Sequence, residues 1–363
     1  MARGICNKKR ALSHLSITIA PFDALTDEQR QAWLAIHQQQ PERRSPYFHP
    51  QFSALVHELN GPVEVAVIEQ GGERGFLPFQ RQQGTALAVG HPMNDYEGLI
   101  GTPGLAADPA ALLKAMGVKR IRCFHLYPWD QPPWSRYRLR TVQSPLIDVT
   151  GGLEAYRQRQ SKSGKSELSA TRRKTRKLER EVGKLEFTLM NRYPAWLDQM
   201  IEWKRLHYQR TGAADNFAVP WRAKLLQRLL QLDDPGLRLV TSTLRLDGNP
   251  LAVHVGIQAG SLLHSWFPSY DTTYARFSPG RILMSMMIDQ AESGAGIREI
   301  DLGKGEAEYK LRLMTNTNTV AEASIEPQLW RVALHRQWLQ RYDQLRDSRF
   351  FDLLRQLKRR LAG

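Results

Sequence analysis

The sequence contains little cysteine and no long apolar segment. Among its 363 residues only Cys6 and Cys123 are cysteines, which excludes a disulfide framework and predicts a reducing compartment. No run of about 18 apolar residues occurs, so we expect no transmembrane helix. The sequence therefore predicts a cytoplasmic protein, with contact at the inner face of a membrane as an alternative.

Several catalytic motifs are also missing. Neither His-Glu-x-x-His nor paired Cys-x-x-Cys occurs, so no metal is expected. The absence of Gly-x-Ser-x-Gly argues against a serine nucleophile. Residues 163–166 resemble the end of a phosphate-binding loop, but Arg159 stands where that loop needs its first glycine. Direct attack of an amine or hydroxyl on an activated acyl group remains, and it requires positioning, a base and an acid.

Positive charge is abundant. The chain has 51 Lys and Arg against 36 Asp and Glu, a net charge of +15, which favours acidic partners such as phosphorylated cofactors, nucleic acid or an anionic membrane. The region 151–184 is the most basic, and Arg172, Arg176 and Arg180 recur there at four-residue steps. This spacing predicts either a docking strip for a polyanion or an ordinary solvated helix face.

A repeated pattern predicts two α/β domains. The segments 63–89 and 237–266 each read as three strands joined by tight glycine turns, and helical segments precede both. Two unrelated meanders are the alternative. We predict a flexible basic leader at 1–15, domains at 16–150 and 151–327, and a basic amphipathic helix at 328–363. That helix either packs on its own domain or lies on an anionic membrane.

A turn at Ser278-Pro279-Gly280 follows the last strand of the second meander. Ser278 is expected to cap a helix that begins at Pro279, because serine favours the cap and proline tolerates the first turn. The free amides at such a helix start suit a phosphate or pyrophosphate. The turn therefore predicts an anion site.

A second strand ends at Asp301, close to this turn in sequence. Asp301 is a candidate base, or a group that orients the acceptor, although capping the next turn is an alternative. Tyr309 and Lys310 are candidate proton donors. His254 and His264 fall on adjacent strands, where lone histidines are more often core residues, and His254 is kept as a catalytic candidate.

These motifs stand in an order that resembles a known family. The chain is similar to CelD/BcsL-type acetyltransferases linked to cellulose and exopolysaccharide biosynthesis, which are GNAT-fold acyl-CoA N-acyltransferases similar to FemAB-type aminoacyltransferases. The likeness covers about residues 16 to 330. Its motifs are Pro46-Tyr-Phe48, Gly75-Phe-Leu-Pro78, Asp95-Tyr96, the basic run Arg172 to Leu178, Trp203-Lys204, Thr211-Gly212, Ser278-Pro-Gly280, Asp301-Leu-Gly303 and Tyr309-Lys310.

The resemblance implies two tandem GNAT-like domains, each a mixed twisted sheet flanked by helices. It implies that the second domain binds acyl-CoA and that an amino or hydroxyl group of a cell-envelope saccharide or its precursor is the acceptor. The implied cofactor-binding residues are Trp266, Ser278, Pro279, Gly280, Arg281 and Gly303. The implied substrate-binding residues are Asp95, Tyr96, Trp203, Lys204, Tyr270 and Asp271.

One departure from the family pattern leaves the donor open. The GNAT phosphate loop is rich in glycine, whereas Ser278-Pro-Gly-Arg281 has one. Aminoacyl-tRNA, used by FemAB-type relatives, is therefore an alternative donor. A non-catalytic member of a polysaccharide-synthesis complex is a further alternative.

Overall fold

The computed structural model describes residues 15–162 and 167–346. Leader residues 1–14, the stretch 163–166 and residues 347–363 lie outside the described residues, and with them most of the predicted leader and the end of the predicted C-terminal helix. The strands are β1 Leu15–Pro21, β2 Glu64–Gln70, β3 Glu73–Gln82, β4 Thr85–Leu87, β5 Ile100–Gly101, β6 Arg120–Leu126, β7 Arg138–Asp148, β8 Leu185–Thr188, β9 Arg238–Leu246, β10 Asn249–Ala259, β11 Leu262–Tyr270, β12 Glu299–Asp301 and β13 Asn316–Ile325.

Helices flank the strands. They are α1 Asp27–Gln39, α2 Pro50–Asn60, α3 Pro109–Ala115, α4 Gly152–Lys162, α5 Glu167–Glu181, α6 Pro194–Thr211, α7 Pro220–Gln231, α8 Pro279–Ala295, α9 Glu308–Leu313 and α10 Leu329–Arg346. None of them, within the described ranges, is long and apolar enough to cross a membrane. Thr26 begins α1 with a reciprocal capping box to Gln29, which satisfies two otherwise unpaired amides.

All strands join one mixed sheet in which each half lends a strand to the other. The order is β1-β2-β3-β4-β6-β13-β7-β12-β11-β10-β9-β8, with β5 paired to β3. Strand β13, from the end of the chain, pairs with β6, whereas β7 pairs with β12. β13 and β7 also pair with each other. The predicted mixed α/β architecture is confirmed.

The glycine turns of both meanders are present. Gly71 and Gly72 join β2 to β3 with φ of 59° and 88°, and Asp247 and Gly248 join β9 to β10 with φ of 48° and 81°. Two consecutive residues with positive φ are the mark of the turn whose twist matches antiparallel strands. The sequence pattern therefore predicted these hairpins for the correct reason.

The two halves share a core. One cluster of buried side chains joins Trp33 and Phe52 of the first half to Phe217, Leu229 and Phe267 of the second. Trp33 is fully buried, stacks on Phe76 and donates its indole N–H to the carbonyl of Phe48. Because apolar burial is the main stabilising term, the shared cluster fixes the two halves against each other.

Candidate active site

The strands β11 and β12 form a fork in the second half. They run parallel and pair over only three residues, ending with His264 opposite Asp301. β11 continues to Tyr270, while the chain after Asp301 turns toward β7, where the amide of Leu302 bonds to the carbonyl of Pro145. His264 and Asp301 therefore lie at the point where the two strands part.

Three charged side chains meet at the fork. His264 Nε2 lies 2.9 Å from Asp95 Oδ2, and His264 Nδ1 lies 3.8 Å from Asp301 Oδ2, an ion-pair distance longer than a hydrogen bond. His264 and Asp301 are both 1% exposed, whereas the side chain of Asp95 is 30% exposed. Asp95 belongs to the first half, so the cluster is composite and Asp95 is its solvent-facing member.

The charges support one another. Burial disfavours the imidazolium of His264, but attraction to Asp301 and the hydrogen bond and attraction to Asp95 outweigh this and raise its pKa to about 9. Burial likewise opposes ionisation of Asp95, yet the bond from His264 lowers its pKa to about 2. The pKa of Asp301 is lowered by the same partner despite complete burial. At neutral pH the cluster is carboxylate, imidazolium, carboxylate.

Asp301 is held by further bonds. Its Oδ1 accepts from the hydroxyl of Ser144 on β7 and from the amide of Gly303, both at 2.8 Å. The second bond closes a local turn of the kind that aspartate favours, so the capping role and the role in the cluster coexist. We interpret Asp301 as the residue that positions His264, because solvent reaches the cluster at Asp95 instead.

Aromatic rings and a tight glycine enclose the cluster. The ring centroids of Tyr47 and Tyr96 lie 5.1 and 6.3 Å from that of His264, and the Tyr96 hydroxyl accepts from Asn318. Gly303 has φ of 73°, and a Cβ there would lie 3.1 Å from Asp95 Oδ2. Glycine at this position lets the backbone approach the carboxylate.

The other predicted catalytic residues lie in different surroundings. Lys310 Nζ donates to the carbonyls of Gly303 and Lys304, at 3.0 and 2.9 Å, and burial lowers its pKa. Tyr309 is 37% exposed, and burial of its hydroxyl region raises its pKa. His254 is 1% exposed and paired to the hydroxyl of Ser265, and burial lowers its pKa to about 3. Lys310 is thus in contact with the loop of the fork, whereas His254 is neutral and enclosed in the sheet.

The helix start after β11 is confirmed, but the predicted cap is wrong. Helix α8 begins at Pro279, and Ser278 makes no capping bond. Ser278 has φ of 58° and ψ of 58°, a left-handed conformation, whereas a capping side chain requires an extended backbone. Its hydroxyl instead lies 2.6 Å from Nζ of Lys174 on α5. A lysine therefore adds positive charge beside the amides of this helix start, next to half-buried Gly280 and Arg281.

Four predicted substrate-binding residues line one cleft. Trp203 and Lys204 of α6 face Tyr270 and Asp271 at the end of β11, around a volume of about 460 Å³. Burial lowers the pKa of Lys204 to about 8, so its ammonium titrates near physiological pH. Asp271 caps the following turn through its bond to the amide of Thr273.

Trp266 and Tyr96 lie on the inner side of the fork. The indole N–H of Trp266 donates to the carbonyl of Met93, and its ring contacts Tyr47 and Phe267. Trp266 thus joins β11 to the segment of the first half that carries Asp95. The structure brings Asp95, Tyr96, Gly303, Asp301 and Lys310 together, while the cleft beside α6 holds a second group.

His264, Ser144 and Lys174 were missed as site residues. His264 is separated from Asp95 by 169 positions and Ser144 from Asp301 by 157, so only strand pairing brings them together. The feature of the sequence that could have indicated His264 is the predicted second meander, residues 237–266. A parallel strand after α8 places the end of β12 beside the middle of β11, where His264 is the polar residue.

Helix α5 exposes its basic face. Arg172, Arg173, Arg176 and Arg180 are exposed, while Thr171 and Leu178 are buried against the second half. Arg172 and Arg176 also line an open cleft against α8. The basic strip predicted there is thus on the surface, beside the helix start at Pro279.

Comparison with known proteins agrees with this geometry. Residues 165–311, which run from α5 into α9, match the family model described as an acetyltransferase (GNAT) domain. A search of curated proteins found no sequence match. FemX is similar in structure with a TM-score of 0.55 and 10% identity, over 83% of this chain and 95% of that one.

A second solved structure has the same fold. The C-terminal domain of a putative lysylphosphatidylglycerol synthetase from Agrobacterium fabrum gives a TM-score of 0.52 at 12% identity, over 86% of this chain and 96% of that one. At such identities the likeness shows the fold alone. The family model thus gives a segment of the second half, residues 165–311, that is similar to an acetyltransferase (GNAT) domain, and the solved structures show the fold of the chain.

Proposed function

We propose that the protein transfers an acyl group from acyl-CoA to an amino or hydroxyl group of a cell-envelope saccharide or its precursor. The observation that carries this proposal is the fork at His264 and Asp301. It lies inside the segment that matches the acetyltransferase model, and a carboxylate from the other half meets it there. The saccharide acceptor rests on the sequence resemblance described above.

Asp95 is the group that contacts the acceptor in this proposal. Its ionised carboxylate accepts a hydrogen bond from the acceptor and stabilises positive charge that develops on an attacking nitrogen. His264 and Asp301 keep that carboxylate ionised and fixed. In the reaction the carbon–sulfur bond of the thioester breaks as the new carbon–nitrogen or carbon–oxygen bond forms. The proton that the acceptor loses passes to Asp95, and Lys310 gives a proton to the leaving sulfur. Return of the proton from Asp95 to Lys310 restores both groups, so that the products are the acylated acceptor and the free thiol.

Lys310 is the proposed proton donor to the leaving thiolate. Two of its three N–H donors bond to the carbonyls of Gly303 and Lys304, which leaves one for a ligand. Its lowered pKa favours release of that proton. Gly303 and Asp301 give the loop the shape that holds these carbonyls in place.

The proposed donor site is the start of α8. A pyrophosphate there would meet the helix amides and the ammonium of Lys174. Calorimetric titration with acetyl-CoA tests this. We expect Lys174→Met to weaken binding about tenfold, whereas Lys177→Met, on the same helix and paired to Glu181, stays within about twofold.

Two results would count against the acyl-CoA donor. If the wild type binds no acetyl-CoA, the donor is another molecule. If Lys174→Met and Lys177→Met weaken binding equally, the attraction is diffuse and the helix start is not the phosphate site.

The acceptor role of Asp95 has its own test. Asp95→Asn should lower kcat by at least about a hundredfold while leaving the affinity for acetyl-CoA within about twofold, because the carboxylate acts on the acceptor. Asp198→Asn, at an exposed aspartate of α6, is the matched control and should leave kcat unchanged. An unchanged kcat for Asp95→Asn would remove Asp95 from the mechanism.

Charged tRNA is the second candidate donor, favoured by the exposed arginines of α5. Binding of aminoacyl-tRNA should then weaken steeply with salt, and replacing Arg172, Arg176 and Arg180 by Gln should reduce the slope by about three. A slope that is unchanged in the triple variant would exclude α5 as the docking strip.

A further inference from the structure

A cleft in the first half is lined by none of the three charged residues of the fork, Asp95, His264 and Asp301. It measures about 370 Å³ and opens between the end of α1 and the segments that follow β5 and β6. Gln40, Thr102 and Gln131 supply polar groups to its wall, and Leu99 and Leu105 supply apolar ones. The exposed lining of the cleft is more polar than apolar, which suits a polar or charged group of a ligand.

Arg43 lines this cleft and forms no ion pair among the described residues, although Glu42, which also lines the cleft, attracts it. It is 9% exposed, and its Nε and Nη1 are buried without a hydrogen-bond partner among the residues that the structure describes. Burial lowers its pKa, against the weaker opposite influence of Glu42 and Tyr127. Neighbouring Arg44, by contrast, forms an ion pair with Glu299.

An unpaired buried guanidinium is expensive to keep. Arginine stays charged in proteins, and a buried charge without a counter-ion loses its hydration with no compensating bond. A buried polar group of this kind calls for an explanation, such as an ion absent from the free protein. Nη2 of Arg43 is not among the enclosed nitrogens, so it is the donor that an oxyanion in the cleft would meet, and the charge of the whole guanidinium attracts that anion.

We propose that this cleft is a binding site for a small oxyanion, the carboxylate or phosphate group of a ligand whose apolar part lies against Leu99 and Leu105. Arg43 is its counter-ion. The inference goes beyond the acyl transfer proposed above, because binding here requires neither the donor nor the fork.

The cleft is close to the charged cluster through two aromatic rings. Arg43 interacts electrostatically with Tyr127, whose ring centroid lies 5.4 Å from that of Tyr96. Tyr96 in turn packs edge-on against His264. Two tyrosine rings, Tyr127 and Tyr96, therefore connect Arg43 to His264.

Thermal unfolding with inorganic phosphate or with acetate, each at constant ionic strength, tests the proposal. We expect at least one of the two to raise the Tm of the wild type, and the effective anion tells a phosphate from a carboxylate site. Arg43→Met should be at least as stable as the wild type without anion and should lose the rise, with affinity at least about tenfold weaker.

The neighbouring arginine gives the matched control. Arg44→Met should keep the full anion response, because its guanidinium is already paired to Glu299. Arg43→Lys should keep a weakened response, which also covers the case in which Arg43→Met does not fold. The proposal is overturned if neither anion raises the Tm of the wild type, or if Arg43→Met and Arg43→Lys both respond as the wild type does.

Discussion

The two halves of the molecule each contain a fork between two parallel strands, and different side chains fill the two forks. In the first half β4 and β6 pair in parallel over three residues, ending with Leu87 opposite Arg122, as β11 and β12 do at His264 and Asp301. Glu97, from the same half, fills the first fork. Glu97 bridges to Leu126, and its carboxylate accepts from the amides of Phe124 and His125.

This difference shows how a repeated fold can divide its tasks. The segment that plugs the first fork also carries Asp95, which reaches the second fork. One segment, residues 95–97, therefore fills the first fork with Glu97 and supplies Asp95 to the second. In the first fork Leu87 stands where the second fork has His264, and Arg122 stands where it has Asp301. Leu87 carries no charge, so these two residues form no ion pair.

The largest expected effect compares Asp301 with its counterpart Arg122. Asp301→Asn removes one partner of a buried ion pair and should lower the free energy of unfolding by about 3 kcal/mol. Arg122→Gln should cost less than about 1 kcal/mol, because Arg122 is half-buried and lies over the ring of Phe124. Urea denaturation of both variants measures the difference. Equal losses would mean that the two forks are energetically alike.

The pH dependence of the unfolding free energy tests the role of Glu97 in the first fork. Burial raises the pKa of Glu97 to about 7, so the folded protein holds a proton that the unfolded chain releases near 4.5. Stability from this group is therefore present below about pH 4.5 and falls as the pH rises to about 7, by roughly 3 kcal/mol. Glu97→Gln should remove that loss from the unfolding free energy. If the pH profile of the variant matches that of the wild type, Glu97 is not the titrating group.

The imidazolium at the open fork can be observed directly. His264 should titrate near pH 9 by NMR, and Asp95→Asn should lower its pKa by at least about one unit, or roughly 1.4 kcal/mol. Since the folded pKa is raised, the stabilisation is complete below about pH 6.5 and is lost as the pH rises through 9. A titration near 6.5 in the wild type would contradict the cluster.

The smallest effect concerns the close approach at Gly303. Gly303→Ala places a methyl group against Asp95 in a left-handed backbone and should cost about 1–2 kcal/mol. Gly117→Ala is the control, since Gly117 has φ of 60° and open space around it, and it should cost about 1 kcal/mol. The excess in Gly303→Ala, seen by thermal unfolding, measures the contact with Asp95; no excess would mean that the loop relaxes freely.

The sequence was informative wherever a local rule applied. Gly71-Gly72 and Asp247-Gly248 predicted hairpins because only certain residues tolerate positive φ, and Pro279 predicted the start of α8 because it needs no hydrogen bond there. Ser278 was assigned a cap on the same local reasoning. That assignment failed because Lys174, a residue of another helix, holds its hydroxyl.

The cluster depends on pairing that no local pattern encodes. His264 was interpreted as an ordinary core histidine, since its two carboxylate partners come from a loop of the other half and from a strand 37 positions downstream. Arg43 is a similar case. It stands between two charged residues, Glu42 and Arg44, which is typical of a solvated surface. Only the fold shows that the guanidinium of Arg43 is buried.

Because β7 pairs with β12 and β13 pairs with β6, neither half can complete its sheet without the other. A fragment ending before residue 316 would leave the inner edges of β6 and β7 with unpaired backbone groups, a template for association with other chains. Gene truncation or proteolysis between the repeats should therefore yield aggregates rather than a surviving single lobe. The pairing of β13 with β6 and of β7 with β12 thus ties the two halves into one folding unit.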